Sequence, residues 1–396
     1  MHGREVPRSR YDLHPMNTPQ LSNDPGQQAL YTLIQRRIAS AGGWLGFDQF
    51  MALALYAPGM GYYANSLRKF GLTPESGSDF ATAPEMSKHF GRSLANQVAE
   101  ALQVTGTDEV WEFGAGSGAL ALQLLDNLGD RIQRYTIVDL SGSLRARQQE
   151  TLTAHAHKVQ WVDALPEQLS GVVVGNEVLD AMPVQLLVRK GGVWHERGVV
   201  WHAQDGVAGV SPIQWEDRLT DLRPPVDVPG EHDYLTEIHT QAEAFVATLA
   251  DRFKAGEAAT GKGGAAFLID YGFPESEYFH PQRSMGTLMC HQLHKADDDP
   301  LQDVGRKDIT AHVNFTGVAL AAQDAGLNVL GYTSQAHFLI NCGLLPPLVD
   351  APLDEKSMAQ KLITEHEMGE LFKVVAFGTT EWEPLGFAQG DRTHAL

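Results

Sequence analysis

The sequence predicts an α/β protein built on a doubly wound, largely parallel sheet, and three observations carry that expectation. From Glu109 onward, short apolar runs ending in Gly or Asp alternate with helical periodicities, as strands joined by crossover helices do. A glycine-rich turn, Gly114-Ala115-Gly116-Ser117-Gly118, falls where the first of those strands passes into a helix. Acidic residues close several strands, so they share the carboxyl edge of the sheet.

Bulk properties agree. At roughly 150 residues per domain, the chain allows two or three units, or one large α/β domain with insertions. With 43% hydrophobic and 20% charged residues among 396, it has a globular composition. Thirty Lys and Arg against 49 Asp and Glu give a net charge of -19, which excludes broad phosphate contact with nucleic acid. Two cysteines, Cys290 and Cys342, rule out a disulfide framework and fit a reducing compartment, read as the cytoplasm. No run approaches the ~20 apolar residues of a membrane span, so no membrane insertion is expected.

Residues 1–25 are polar, contain Arg4, Arg8 and Arg10, and read as a disordered tail, with an organellar leader as the alternative and Met16 as a second candidate start. Residues 26–105 read as a mainly helical cover. Leu30, Leu33, Ile34 and Ile38 mark a helix over 27–41, residues 47–55 a second, and Thr82 with Glu85 a capping box opening a third that carries Phe90, Leu94, Val98 and Leu102 on one face. The core is assigned to 106–185 and 262–396, with strands at 110–113, 135–139, 172–175, 266–270 and 374–378, and a short one ending near Asp163. Leu120, Leu124, Leu125 and Leu128 lie on one face of the first crossover helix, which stops at Gly129. Residues 186–261 are too many for a crossover and read as an insertion, with a hairpin about Gly191-Gly192 and a long amphipathic helix over 234–253.

The glycine turn, in Glu112-Phe113-Gly114-Ala115-Gly116-Ser117-Gly118, lets a backbone approach a ligand closely, but its spacing also satisfies the Rossmann dinucleotide form. Asp139, ending the next strand, is placed to accept ribose hydroxyls. Glu112 suits a cationic ligand better than a pyrophosphate, because like charges repel in a partly desolvated site. S-adenosylmethionine, with its sulfonium and ammonium, is such a ligand, and a nicotinamide cofactor is the alternative. Asp163 is a candidate for the adenine amino group, or equally a turn aspartate. Asn176, Glu177 and Asp180, at the crevice edge, can hold a nitrogen nucleophile such as a guanidinium, or cap a following helix. Cys290, His291 and His294 near Asp297, Asp298 and Asp299 are too unevenly spaced to predict a metal, and none is expected. His155 and His157 alternate as residues on one exposed strand face would.

Together these motifs resemble the MidA-like proteins, bacterial and mitochondrial class I methyltransferase homologues whose mitochondrial members are complex I assembly factors. The resemblance runs over nearly the whole chain after the tail, through Phe50 to Pro58, Gly61-Tyr62-Tyr63, Ser78 to Glu85, Glu112 to Gly118, Asn176 to Pro183, Ile269 to Gly272, Asp308 to Phe315 and Met368 to Lys373. It implies a Rossmann-like seven-stranded sheet, S-adenosylmethionine as cofactor, S-adenosylhomocysteine as product, and arginine on a protein as acceptor: a respiratory complex I subunit or its bacterial counterpart. By position it implies Glu112, Gly114, Gly116, Gly118 and Asp139 for the cofactor, Asn176 with Glu177 after the fourth strand, and Thr82 and Pro84 in a cover over the cofactor. Ser78, Asp139 and Asn314 depart from the usual Gly, Glu and Asp, and the last substitution removes a charge available to substrate. Two other readings remain: a non-catalytic assembly scaffold using the cover and insertion as a partner surface, and a nicotinamide-dependent oxidoreductase. Oligomeric state stays open.

Overall fold

The computed structural model describes residues 24–65, 81–139, 141–202 and 211–396. Most of the expected tail, and Ser78, Asp79 and Phe80 of the cover motif, lie outside the described residues. The N-terminal segment runs through α1 (Pro25–Ser40), β1 (Leu45–Gly46), α2 (Phe47–Tyr56), α3 (Ala83–Met86) and α4 (Lys88–Thr105). The capping box does not open the long helix. Thr82 precedes only the one-turn α3 and makes no side-chain cap bond; Ser87 then turns extended and its hydroxyl accepts from the His89 amide at 3.3 Å to start α4.

The core proceeds through β2 (Glu109–Phe113), α5 (Ala119–Leu128), β3 (Arg134–Val138), α6 (Gly142–Thr151), β4 (Val159–Val162) and β5 (Gly171–Asn176). A second sheet follows: β6 (Gln185–Lys190), β7 (Val193–Trp201), β8 (Ile213–Leu219) and β9 (Tyr234–Ile238). Next come α7 (Thr240–Thr260), β10 (Gly264–Phe273) and α8 (Glu275–Tyr278), then a three-stranded sheet of β11 (Met289–Gln292), β12 (Lys295–Asp297) and β13 (Asp308–Thr310). The chain ends with β14 (Val313–Asn314), α9 (Phe315–Asp324), β15 (Asn328–Ser334), α10 (Gln335–Asn341), α11 (Leu345–Leu348), α12 (Leu353–Ile363) and β16 (Phe372–Gly378).

Seven strands lie in the order β15-β16-β10-β5-β2-β3-β4, and β14 pairs with β10 as an eighth. The sheet is mixed: β4, β3, β2, β5 and β10 are parallel neighbours, while β16 runs antiparallel between β10 and β15. Side chains alternate between its faces as strand geometry requires. Val110, Val172, Val174, Phe267 and Val374 pack with α4 and α5, whereas Trp111, Val173, Ala266, Leu268 and Val375 pack with α7 and α9. The strand order reverses between β5 and β2, the switch point where such sheets bind ligands.

The expected hairpin forms as β6 and β7, but residues 234–238 are strand β9, paired with β6, and the helix begins only at Thr240. Tyr234 and Thr236 alternate inward, a period of two that the helical pattern of the following residues concealed. Leu249, Ala250 and Phe253 of α7 pack on the main sheet, so this helix is the crossover between β5 and β10. His155 lies on a 3-10 turn and bonds Asp126 at 2.7 Å, not on a strand.

Candidate active site

β2 leaves the sheet through Gly114, Gly116 and Gly118, whose φ angles are 63°, 52° and 84°. A Cβ in this left-handed region costs ~1–2 kcal/mol, and on Gly114 it would stand 3.0 Å from Val178 Cγ2. Their absence leaves a concave backbone surface at the switch point. Gln148 of α6, fully buried, braces it by donating to the Gly116 carbonyl at 3.1 Å and to Asp139 Oδ2 at 2.8 Å, while accepting from Trp161 Nε1 at 2.9 Å. Sequence reasoning missed Gln148, because a polar residue in a polar helix gives no signal. Asp139 Oδ1 accepts from the Ser141 amide at 2.8 Å, so each oxygen keeps lone-pair capacity for hydroxyl donors.

Glu112 is 2% exposed and its Oε2 accepts from Tyr135 Oη at 2.7 Å. Burial pushes its carboxyl up to about 8, against the lowering effect of the tyrosine bond. Asp163 stands at the rim: its side chain is 78% exposed and ion-paired with Arg145, whose guanidinium also donates to the Val162 carbonyl at 3.0 Å.

On the opposite side of the switch point, no helix follows Asn176 and Glu177. Residues 177–183 form turns, because Asp270 of β10 gathers their amides: its Oδ2 accepts from Val178, Leu179 and Asp180 at 3.0, 2.8 and 3.2 Å. Glu177 sits at φ 55°, a strained conformation for a residue with a side chain, and its amide donates to the Ile269 carbonyl at 2.9 Å. Asn176 Nδ2 donates to Glu177 Oε1 at 2.9 Å, and Asn176 Oδ1 is buried without a partner. Neither Asp270 nor the conformation of Glu177 was anticipated; the only sequence signal was a strand ending in Asp.

Burial first, then the Asp180 charge, pushes Glu177 up to about 8. Asp180 is raised to about 6 by burial, against a hydrogen bond from Tyr271. Asp270 is raised well above the carboxylate range by burial and by its two acidic neighbours. Carboxyls this costly to ionise are relieved by a positive ligand.

Glu112, Gly114, Gly116, Asp139, Asp163, Asn176, Glu177 and Asp180 line one cavity of about 930 Å³, with Thr82 and Pro84 on its wall, whereas Gly118, Gln148 and Asp270 do not line it. The glycine-turn side holds Glu112 to Ser117, Asp139 and Asp163; the other lining residues include Glu177, Asp180, Tyr56, Tyr63, Tyr271, Asp308 and Thr310. Tyr63 Oη donates to both oxygens of Asp308 at 2.9 Å. Asn314 does not line it: the residue is the N-cap of α9, accepting from the Gly317 amide at 3.3 Å, a task Asn and Asp perform equally. The expected loss of a substrate-binding charge there does not apply. Among the described residues, no group of three or more His, Cys, Asp and Glu is placed to hold a metal.

An open α/β sheet with a glycine cradle, a strand-end carboxylate and a cluster of buried acids across the switch point defines a nucleotide-cofactor enzyme. Residues 93–333 match the family described as "Putative S-adenosyl-L-methionine-dependent methyltransferase", and the chain belongs to it; its place is among the MidA-like methyltransferases. Its cofactor is S-adenosylmethionine, which replaces the nicotinamide alternative. The chain is 46% identical to a Burkholderia thailandensis protein solved with S-adenosyl-homocysteine bound, with TM-score 0.86 over 96% of this chain and 100% of that one. A second structure from that organism gives 43% identity and TM-score 0.82 over 96% and 100%. The Caenorhabditis elegans mitochondrial protein arginine methyltransferase NDUFAF7 homolog is 26% identical over 87% of each chain, and the Drosophila melanogaster one 27% over 82% of this chain and 78% of its own.

Proposed function

We propose that this enzyme transfers the methyl group of S-adenosylmethionine to an arginine side chain of a protein. The observation carrying that reading is the pair of buried carboxyls, Glu177 and Asp180, which line the same cavity as the glycine turn and are both pushed up by burial, with no basic partner for either among the described residues. The relatives named as protein arginine methyltransferases support it. The acceptor to try first is the complex I subunit, or its bacterial counterpart, that the sequence resemblance implies.

The chain's residues fit the cofactor: Gly114 and Gly116 leave a cradle a side chain would fill, and among the described residues Glu112 is a buried carboxyl with no basic partner and Asn176 Oδ1 a buried acceptor with no donor. Glu112 would face positive charge, Asp139 the ribose hydroxyls, and Thr82 and Pro84 would close the wall, with Asp163 at the rim. When bound, S-adenosylmethionine supplies an electrophilic methyl group. Glu177 and Asp180 would hold the guanidinium fork and orient one nitrogen for in-line attack, which is catalysis by positioning and electrostatics. A guanidinium keeps its proton up to pH ~12, so the proton leaving the methylated nitrogen needs an acceptor. The guanidinium charge beside Glu177 would favour the ionised form of its carboxyl, which would then take that proton as the methyl group arrives and pass it to water.

The test is transfer of labelled methyl from S-adenosylmethionine to arginine-containing peptides and to the same peptides with lysine. The double variant Glu177→Gln, Asp180→Asn is expected to bind S-adenosylmethionine yet transfer nothing. Undiminished transfer by that variant would overturn the assignment of the carboxyls, and labelling of lysine alone would overturn the acceptor.

A further inference from the structure

The carboxyls of the acceptor side provide charge, and charge alone does not distinguish a guanidinium from an ammonium. Shape does: a guanidinium is planar and delocalised and stacks on an aromatic face, whereas an ammonium is a compact, strongly hydrated point charge. The cavity wall opposite the sheet edge carries such a face. Tyr56, at the end of α2, and Tyr63, just beyond it, lie stacked with centroids 5.6 Å apart and planes 19° from parallel. Tyr62 closes against Tyr63 edge-on at 5.0 Å, so the free face of the stack belongs to Tyr56, which is 39% exposed.

Both phenols are anchored to the segments that bear the acids. Tyr56 Oη donates to the Ala181 carbonyl at 2.8 Å, one residue from Asp180, and Tyr63 Oη donates to Asp308. These bonds lock the ring planes relative to the carboxyls, and both rings line the same cavity as Glu177, Asp180 and Asp308. The pair comes from the N-terminal segment rather than from the sheet domain, so the acceptor side is incomplete without that segment. Resting on the arginine reading above, we propose that the Tyr56–Tyr63 stack is the specificity wall of the acceptor site, selecting a planar cation over a lysine ammonium by presenting the Tyr56 face beside the carboxyls.

Steady-state methylation of paired arginine and lysine peptides by wild type, Tyr56→Leu and Tyr56→Phe tests this, with S-adenosylmethionine affinity measured for each as the control for folding. Cation–π and stacking contributions of ~0.5–2 kcal/mol correspond to a rise of roughly 2- to 30-fold in KM for the arginine peptide in Tyr56→Leu. The kcat should change less than KM, and the ratio of arginine to lysine kcat/KM should fall. Tyr56→Phe keeps the ring and should stay near wild type in selectivity, which a purely structural role of the hydroxyl would not predict. If wild type methylates arginine and Tyr56→Leu keeps its KM and selectivity while binding cofactor normally, the wall is not a determinant. If Tyr56→Phe loses selectivity as fully as Tyr56→Leu, the anchoring bond and not the ring face is what matters, and the proposal falls. If wild type leaves arginine peptides unlabelled, the arginine reading itself fails, a separate outcome.

Discussion

Glu112 pairs an acid with the least accommodating surroundings on the cofactor side. A cation stabilises its ionised form, so the affinity for S-adenosylmethionine should rise as pH climbs from 6.5 through the carboxyl's value of about 8. Glu112→Gln should bind more weakly and lose that pH dependence. Calorimetric titration at pH 6.5 and 8.5 reads both, and equal slopes for variant and wild type would remove Glu112 from the cofactor site. Asp270 acts through its neighbours: Asp270→Ala leaves the amides of Val178, Leu179 and Asp180 without their acceptor, at ~1–3 kcal/mol for each buried donor that finds no water. Urea denaturation should show a loss of at least ~1 kcal/mol, and kcat should fall because Glu177 and Asp180 sit on the released turn. The placement of Glu112 beside the cradle was legible, since it stands two residues before the first glycine. That of Asp270 was not, because three amides converge on it only after β5 and β10 have paired.

Among the elements, the glycine turn and the strands were the most legible. Short continuous apolar runs and a strand-to-helix turn are local properties, and β2, β3, β5, β10 and β16 lie where those runs stood. Gly114→Ala tests the turn: left-handed strain plus the approach to Val178 should cost ~1–2 kcal/mol and weaken cofactor binding by more than it lowers the melting temperature implies. Calorimetry with and without ligand separates the two effects. Ser87→Ala should cost about 1 kcal/mol, because Ser87 and not Thr82 starts α4, whereas Thr82→Ala should leave thermal stability within roughly 0.5 kcal/mol. The capping pattern from Thr82 to Glu85 was real in spacing but belongs to a separate turn. Where short helices abut, spacing alone does not say which cap serves which helix.

Over the whole molecule, buried acids set the pH response. Glu112 and Glu177 hold protons up to about 8 when folded but release them near the ordinary glutamate value of 4.5 when unfolded. The folded state therefore binds more protons across that interval, so these groups contribute stability at low pH that is lost as pH rises through 8. The buried histidines oppose this only below neutrality: burial lowers His239 to about 3 and His312 to about 4, so their contribution is lost as pH falls below 6.5. From pH 7 to 8.5 the carboxyls dominate, and the ligand-free protein should melt at a lower temperature at pH 8.5. Saturating S-adenosylmethionine should stabilise it more at pH 8.5 than at pH 7, since it favours the ionised acids. A melting temperature that rises over this interval would refute both the burial and the sign.

The sequence by itself determined the alternation of strands and helices, the glycine cradle, and which acids end the strands, because each is written in residues close together along the chain. It also determined that a cation was the better ligand, since Glu112 lies two residues from the cradle. Only the tertiary structure decided that Tyr56, Tyr63, Asp180 and Asp308 line one cavity, that Gln148 braces the cradle, and that Asp270 shapes the turn carrying Glu177. Tyr56 and Ala181 are 125 residues apart in the chain, and Tyr63 and Asp308 245 apart. No local period reports such distances; they are fixed by burial and pairing of the whole sheet, which brings its carboxyl edge and the N-terminal segment together.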